Sequence, residues 1–422
     1  MNATLFTFVF VAALALTSFI KLWLAQRHLK HIALHRIAVP EAFHDKINLA
    51  DHQKAADYTS AKTRFSILNM LFDAALLLAF TLAGGIQLIA EFSQNSFNTP
   101  ISQGIATIVA VLLISSVLEM PLSLYRTFVI EARFGFNKST ILLYLTDTLK
   151  SLLLGAILGL PLLFGVLWLM ERMGELWWLY VWLVWIIFNL LILFIYPSFI
   201  APLFNKFSPL QDATIKARVE ALLTRCGFTA QGLFVMDGSK RSAHGNAYFT
   251  GFGKTKRIVF FDTLLERLSG NEVEAVLAHE LGHFKHHHVI KRIATTFAMS
   301  LGFLWLLDVL IQTEWFYQGL GVNSPDLIGS GQGSTAIAIL LFFMILPVFS
   351  FLLHPLLSAY SRKHEFEADN YAAQKTASTD LVNALVKLYQ DNAATLTPDP
   401  LYSKFYDSHP PATVRIAHLQ TQ

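Results

Sequence analysis

Long apolar stretches recur along the whole chain and constrain its fold more than any other feature. Seven of them are close to or beyond the roughly 20 residues that a helix needs to cross a bilayer. Unpaired backbone amide and carbonyl groups are costly in lipid, so each stretch is expected to be helical. The predicted spans are residues 3–25, 65–92, 105–124, 152–170, 176–199, 293–311 and 335–357.

The composition supports a polytopic membrane protein. Hydrophobic residues make up 54% of the 422 residues and charged residues only 14%, against about 25% in an average soluble protein. The first span has no small-residue cleavage site after a short apolar core, which indicates a retained helix rather than a cleaved signal peptide. No basic run with interleaved aromatic residues points to nucleic-acid binding. The single cysteine, Cys226, excludes an intramolecular disulfide and a thiolate metal cluster.

The distribution of Lys and Arg predicts the orientation of the spans. Seven Lys or Arg residues lie between positions 27 and 64, whereas the loops 93–104 and 312–334 have none. The positive-inside rule then places the N-terminus outside and the C-terminus in the cytoplasm. The segment 201–292 falls on the cytoplasmic side of a bacterial inner membrane or of the endoplasmic reticulum membrane.

Four parts follow from this pattern. Residues 1–200 hold five spans, 201–292 form a cytoplasmic segment, 293–357 form a transmembrane hairpin, and 358–422 form a second cytoplasmic segment. The predicted fold is an all-α membrane protein of seven helices with a cytoplasmic α+β domain.

The first cytoplasmic segment shows strand and helix signals. Residues 232–237, 247–252 and 257–262 are typical of strands, and the intervening 253–256 (GKTK) predicts a turn that makes the last two a hairpin. Ser269 and Glu272 match a capping box, so a helix is expected to begin there.

Five residues on that helix, His279-Glu280-Leu281-Gly282-His283, match the His-Glu-x-x-His signature of zinc hydrolases. Residues i and i+4 share one helix face, so His279 and His283 can hold one Zn²⁺. Glu280 lies beside the first ligand and can act as general base towards water.

The third ligand must come from elsewhere in the chain. A metzincin would carry a third histidine at position 289, which is Val289 here. We interpret the run His286-His287-His288 as a polar boundary facing the cytoplasm rather than as metal ligands.

The best third ligand lies in residues 361–369 (SRKHEFEAD). Glu365 and Asp369 are four residues apart and share a helix face, so Glu365 can bind the metal while Asp369 orients a ligand histidine or donates a proton. His364 and Glu367 point off that face and are interpreted as bystanders. The alternative is a solvated helix whose charges merely balance.

These motifs together resemble the type I integral-membrane zinc CAAX prenyl endoproteases. The shared features are HExxH, the distal ExxxD about eighty residues later, and seven spans. Further matching stretches are 58–62 (YTSAK), 133–137 (RFGFN), 200–207 (IAPLFNKF), 242–252 (SAHGNAYFTGF) and 408–416 (SHPPATVRI). Jointly they run nearly end to end and are highly specific.

The resemblance implies one Zn²⁺ per chain, held by His279, His283 and Glu365, with Glu280 as base and Asp369 supporting a ligand. It also implies that His409 and Arg415 approach the site, where a donor or cation stabilises the oxyanion. Read alone, His409 before a proline is equally compatible with a helix-entry loop.

The resemblance further implies that the strand around Asn246 and Tyr248 pairs with the substrate backbone. Read alone, an aromatic strand is more typical of a core. Members of the family enclose a chamber among seven helices. Asp73, Glu119 and Asp308 lie in or beside spans and are expected either to face such a wet interior or to pair between helices.

The implied function is a zinc metalloendopeptidase that removes C-terminal residues after a prenylated cysteine. A broad-specificity quality-control protease of the membrane has the same chemistry and is the alternative. A seven-span receptor or transporter with an accidental HExxH is disfavoured by the distal motif. The expected partners are a peptide substrate, possibly prenylated, and the bilayer, and a monomer is compatible with the sequence.

Overall fold

The computed structural model describes residues 1–229, 232–250, 257–324, 327 and 333–422. Its α-helices in chain order are α1 (Ala3–His35), α2 (Leu49–Phe80), α3 (Gly85–Ser96), α4 (Pro100–Tyr125), α5 (Ile141–Arg172), α6 (Trp177–Ile195), α7 (Ala201–Phe204), α8 (Ala213–Cys226), α9 (Asp262–Leu265), α10 (Gly270–Lys285), α11 (His288–Ile311), α12 (Glu314–Gln318), α13 (Gly333–Ser350), α14 (His354–Lys375), α15 (Ser378–Asp391), α16 (Pro400–Tyr406) and α17 (Ala412–Gln420).

Seven helical segments of the described chain are long and apolar enough to cross a membrane, which confirms the predicted number of spans. They contain α1, α2, α4, α5, α6, α11 and, in the last segment, α13 together with α14. Several are longer than the apolar stretch that predicts them, because the backbone stays helical past the last apolar residue. The clearest case is α1, which continues to His35.

The predicted second span, 65–92, is wrong at its C-terminal end. The helix stops at Phe80, where the Thr81 hydroxyl donates to the Leu77 carbonyl oxygen at 2.6 Å. Gly84 then adopts a φ of 80°, a left-handed conformation that glycine adopts without steric cost, and a separate helix, α3, begins at Gly85. Hydropathy alone could not reveal this break, because both sides of it are apolar.

The seventh span and the helix that carries Glu365 form one rod. Only a 3-10 turn, Phe351–Leu353, separates α13 from α14, and the helical segment Thr335–Lys375 runs for 41 residues. The rod therefore leads directly from the membrane helices to the predicted metal ligand.

A small mixed sheet lies beside α10. Its strands β1 (Phe207–Pro209), β2 (Gly232–Met236), β3 (Ala247–Thr250) and β4 (Arg257–Phe261) are arranged in the order β1-β2-β4-β3. Strand β2 pairs in parallel with β4, and β3 pairs antiparallel with β4. The predicted antiparallel pairing is thus confirmed, while the predicted turn at 253–256 lies outside the described residues.

The two segments predicted to carry the site share one hydrophobic core. That core joins apolar side chains of α8, β4 and α10 to those of α14, α15 and α17. Phe43, from the loop between the first two spans, is fully buried in it. The segments 201–292 and 358–422 therefore pack as a single unit although two membrane helices separate them in sequence.

The helix α10 begins at the predicted capping box. The Ser269 amide donates to Glu272 Oε2 at 2.6 Å, and the Glu272 amide donates to Ser269 Oγ at 3.5 Å. The same glutamate accepts from Lys387 Nζ of α15 at 2.7 Å. These bonds satisfy free amides of the first turn and fix the start of the helix against the C-terminal segment.

Helices α10 and α14 cross in close contact at Gly282. A Cβ atom on this residue would lie 2.8 Å from the Ala368 Cα and 3.0 Å from the Ala368 carbonyl oxygen. No real side chain fits at such distances, so only glycine allows the two backbones to approach this closely. Gly282 lies between His279 and His283, and Ala368 lies between Glu365 and Asp369.

We expect the substitution Gly282→Ala to separate the two helices and to weaken metal retention. Overpacking of this kind costs about 1–3 kcal/mol. The matched control is Gly302→Ala on α11, where an added Cβ meets nothing within 4 Å. Thermal unfolding and metal content of the detergent-purified proteins measure the effect. Equal stability and metal content in the two variants would contradict the crossing geometry as a constraint.

Candidate metal centre and substrate edge

Three predicted ligands converge between α10 and α14. The Nε2 atoms of His279 and His283 lie 3.2 Å apart, and each lies 3.4 Å from an oxygen of the Glu365 carboxylate. One donor atom from each residue falls within a group no wider than 4.8 Å. Glu365 is 4% exposed, so the alternative interpretation of residues 361–369 as a solvated charged helix is wrong.

The donor set fits a small divalent metal ion. Ligand atoms held tetrahedrally at about 2.0–2.2 Å from a metal are separated from one another by roughly 3.4 Å, which matches the observed spacing. Glu365 Oε2 is buried and accepts no hydrogen bond from the described residues. A buried carboxylate oxygen that accepts no hydrogen bond is costly, and a cation between the two imidazoles would compensate it.

Asp369 and Arg415 support the candidate ligand His279 on its Nδ1 side, which faces away from Glu365. Asp369, which is fully buried, contacts His279 Nδ1 through Oδ1 at 2.8 Å. Arg415 lies on α17 and donates to both oxygens of Asp369, with Nε 2.8 Å from Oδ2. Its Nη1 also lies 3.6 Å from Glu365 Oε2, so one guanidinium balances two buried carboxylates.

The buried carboxylates favour positive charge on His279 but not on His283. Burial alone would lower the pKa of His279, but the carboxylates of Asp369 and Glu365 outweigh it and raise that pKa to about 9. Burial and the neighbouring His279 lower the pKa of His283 to about 3, which keeps its imidazole neutral. Burial also raises the pKa of Glu280 above its ordinary value, against the opposing charge of His279.

The tail of the chain brings His409 to the open side of the site. Its Nε2 lies 3.4 Å from Glu365 Oε1, and 62% of its side chain is exposed. The tail is anchored by Asp399, a buried carboxylate that caps α16 and accepts from Arg27 Nε of α1 at 2.9 Å. His409 and Arg415 thus both reach Glu365, but only His409 faces solvent.

Asn246 and Tyr248 lie at the edge strand of the described sheet. Strand β3 pairs with β4 on one side, and its other side pairs with no described strand. Asn246 is exposed at the start of the strand. The Tyr248 side chain turns away from the core and lies near Met236, with its hydroxyl 4.0 Å from the sulfur. Phe249 packs on Phe284 of α10 with ring centroids 5.1 Å apart, so the strand runs beside the motif helix.

Two family models together match most of the chain. Residues 28–206 match the family described as CAAX prenyl protease N-terminal, five membrane helices, and residues 209–422 match peptidase family M48. The chain belongs to peptidase family M48. It is therefore a multi-pass membrane metalloprotease.

Named relatives of this M48 peptidase cover almost its full length. CAAX prenyl protease 1 of Saccharomyces cerevisiae is 34% identical over 90% of this chain and 88% of its own length. The Homo sapiens CAAX prenyl protease 1 homolog is 32% identical over 98% of this chain and 95% of its own. The crystal structure of S. mikatae Ste24p superposes with a TM-score of 0.91 at 31% identity, covering 98% of this chain and 99% of that one.

Residues from three of the motif stretches, 58–62, 133–137 and 242–252, meet at one polar cluster. The Tyr58 hydroxyl donates to the Glu131 carboxylate at 2.8 Å, and His244 Nε2 lies 3.7 Å from the same carboxylate. Phe136 stacks on the His244 ring with centroids 4.3 Å apart. The cluster ties α2 and the end of the third span to the segment that leads into β3, so the membrane helices hold the edge strand of the peptidase.

Two neighbouring cavities of the described chain lie between membrane helices and the C-terminal segment of the peptidase. One of about 450 Å³ reaches His409, and one of about 620 Å³ lies deeper; Ser66, Tyr402 and Tyr406 line both. Asp73 and Glu119 line the deeper cavity, as a wet interior requires. Asp308 instead accepts a hydrogen bond from the Trp177 indole at 2.6 Å and pairs two helices. Of the three predicted acidic residues, Asp73 and Glu119 therefore line a cavity and Asp308 pairs between helices.

The interpretation of the His286-His287-His288 run as a solvent-facing boundary is wrong for its last member. His287 is exposed, but His288 is only 4% exposed. His364 and Glu367, interpreted as bystanders, both contact His288. The sequence did not reveal this cluster, because His288 lies on α11 and is distant in the chain from His364 and Glu367 on α14.

We expect Arg415→Met to destabilise the peptidase strongly. Removing one partner of a buried ion pair leaves uncompensated charge and costs about 3–5 kcal/mol, here at Asp369 and Glu365. The matched control is Arg267→Met, because Arg267 is 68% exposed and lies 3.9 Å from Asp391. Exposed pairs contribute about 0–1 kcal/mol. Denaturant titration in detergent micelles measures both, and a similar loss in the two variants would contradict the assigned role of Arg415.

Proposed function

We propose that this metalloprotease uses one Zn²⁺ per chain, held by His279, His283 and Glu365, to cleave peptides after a prenylated cysteine. The observation that carries the proposal is the convergence of these three donors next to His409, which lines a cavity that continues among the membrane helices. Nitrogen and oxygen donors in a small tetrahedral arrangement are what zinc hydrolases provide.

Glu280 is the proposed general base. A bound Zn²⁺ would polarise the scissile carbonyl and lower the pKa of a water molecule. The Glu280 carboxylate accepts the proton of the attacking water and delivers it to the leaving amine. Burial raises the pKa of this carboxyl group, so it is a stronger base than an exposed glutamate.

His409 and Arg415 have different proposed roles. The exposed imidazole of His409 lies beside Glu365 on the side open to a substrate, so it can donate to the developing oxyanion. Arg415 is buried behind the ligands and contacts Asp369 instead. We therefore assign it to positioning His279 through Asp369.

Substrate binding is proposed to use the edge strand and the cavities. The edge of β3 that pairs with no described strand would offer backbone groups near Asn246 to an extended peptide and hold the scissile bond in register. A prenyl chain on that peptide would enter the cavities beyond His409. The deeper cavity has apolar wall residues from several membrane helices, among them Leu77, Met70 and Met344.

The site is proposed to face the cytoplasm, with the N-terminus on the other side. The support is the alternation of Lys and Arg between loops. A membrane of the endoplasmic reticulum is consistent with the eukaryotic relatives. A prenylated peptide would then reach the site from the cytoplasmic leaflet.

Cleavage of paired peptides tests the proposal. Purified protein in lipid vesicles should cleave a farnesylated CAAX peptide at least ~10-fold faster than the unprenylated peptide, since burying part of an isoprenoid contributes well over 1.4 kcal/mol. The control is Glu280→Gln, which keeps the shape of the side chain and should bind metal without cleaving. Equal rates on both peptides would favour a broad-specificity quality-control protease, and activity in Glu280→Gln would contradict the mechanism.

A further inference from the structure

His288 contacts the proposed ligand His283 at the ring nitrogen that does not face the metal site. The Nδ1 atoms of His283 and His288 are 2.9 Å apart, which is a hydrogen-bond distance. The other nitrogen of His288, Nε2, lies 2.8 Å from Glu367 Oε2. A continuous chain of polar contacts therefore runs from the Glu367 carboxylate through His288 to His283.

The backbone is bent to bring His288 to this place. The helix α10 ends at Lys285, and His287 adopts a φ of 56°, a left-handed conformation that is unfavourable for residues other than glycine. This turn starts α11 at once, so His288 folds back against the face that carries His283. A strained backbone conformation of this kind persists where surrounding contacts require it.

If both imidazole rings are neutral, only one assignment of hydrogen-bond donors and acceptors fits the contacts between Glu367, His288 and His283. An ionised Glu367 can only accept, so the hydrogen of His288 lies on Nε2 and its Nδ1 carries a lone pair. His283 must then donate from Nδ1, which leaves the lone pair of its Nε2 free. That atom is the one that faces His279 Nε2 and Glu365 Oε1.

We infer that His288 and Glu367 position His283 by fixing its ring orientation and tautomer for metal binding. The inference rests on the proposed role of His283 as a metal ligand. His283 thereby receives the same kind of support that Asp369 gives to His279, whose Nδ1 it contacts at 2.8 Å. Partners that hold the distal nitrogen of a ligand histidine stabilise metal binding, and their loss typically weakens it about 10–100-fold.

His288 could instead belong to a second metal site with His364 and Glu367, since donor atoms of these three also lie within 4.8 Å of one another. Ring geometry disfavours this alternative. The His288 and His364 rings are stacked with centroids 3.9 Å apart and planes inclined by only 9°. Lone pairs lie in the ring planes, so two parallel stacked rings do not direct them at one ion.

Metal affinity of the full-length protein in detergent tests the inference. Chelator competition should show zinc binding weakened about 10–100-fold by His288→Phe, which keeps an aromatic ring in the stack but removes both nitrogens. The absorption spectrum of the Co²⁺-loaded variant should change as well, because His283 is no longer held in place. Wild-type affinity together with a wild-type Co²⁺ spectrum would overturn the inference.

Substitutions at Glu367 separate hydrogen bonding from packing. Its side chain is 29% exposed, so replacements there are compatible with folding. Glu367→Gln keeps an acceptor oxygen and should hold zinc within a few-fold of wild type, whereas Glu367→Leu should weaken it about tenfold. Equal affinities in the two variants would overturn the role of the carboxylate.

Two further variants distinguish the remaining explanations. His364→Phe keeps the stack on His288 and should leave affinity and stoichiometry unchanged. Two metal equivalents in wild type that fall to one in His364→Phe would overturn the inference in favour of a second metal site. Undiminished zinc affinity in His283→Phe would overturn both the inference and the proposed metal centre, whereas failure of His288→Phe alone leaves that centre standing.

Discussion

The close crossing of α10 and α14 at Gly282 and Ala368 is the contact on which the rest of the site depends. It joins two pieces of chain that are separated by a transmembrane hairpin. Because α14 continues the seventh span, the position of Glu365 is set by the membrane helices as well as by the local packing. The proposed metal centre therefore depends on contacts of both the membrane helices and the peptidase segments.

Near that crossing, buried polar groups form hydrogen bonds and ion pairs with one another. Asp369 contacts one ligand histidine, and Arg415 balances the carboxylates. A corresponding polar cluster at Tyr58 and Glu131 ties the membrane helices to the segment before the edge strand. Buried charges of this kind are stable only when partners surround them, so electrostatic pairing stabilises the arrangement as much as packing does.

Much of this arrangement could be predicted from the sequence, because it follows from regular spacing. The four-residue interval places His279 and His283 on one face, and the same interval pairs Glu365 with Asp369. The number of spans follows from hydropathy. The place of His288 could not be predicted, since it depends on a left-handed conformation at His287 and on contacts distant in sequence. The break at Gly84 does not follow from hydropathy, although the Gly84-Gly85 pair is a turn signal. Glu367 was missed because positions two apart on a helix face different directions.

X-ray absorption at the zinc edge of the purified full-length protein tests the proposed zinc centre, because it reports the ligands of the metal itself. We predict one zinc per chain, bound by two imidazoles and by oxygen at about 2.0–2.2 Å. The single cysteine excludes a cluster of sulfur ligands from the predicted spectrum. A protein without stoichiometric zinc, or a spectrum with fewer than two imidazoles, would contradict a centre built from His279, His283 and Glu365.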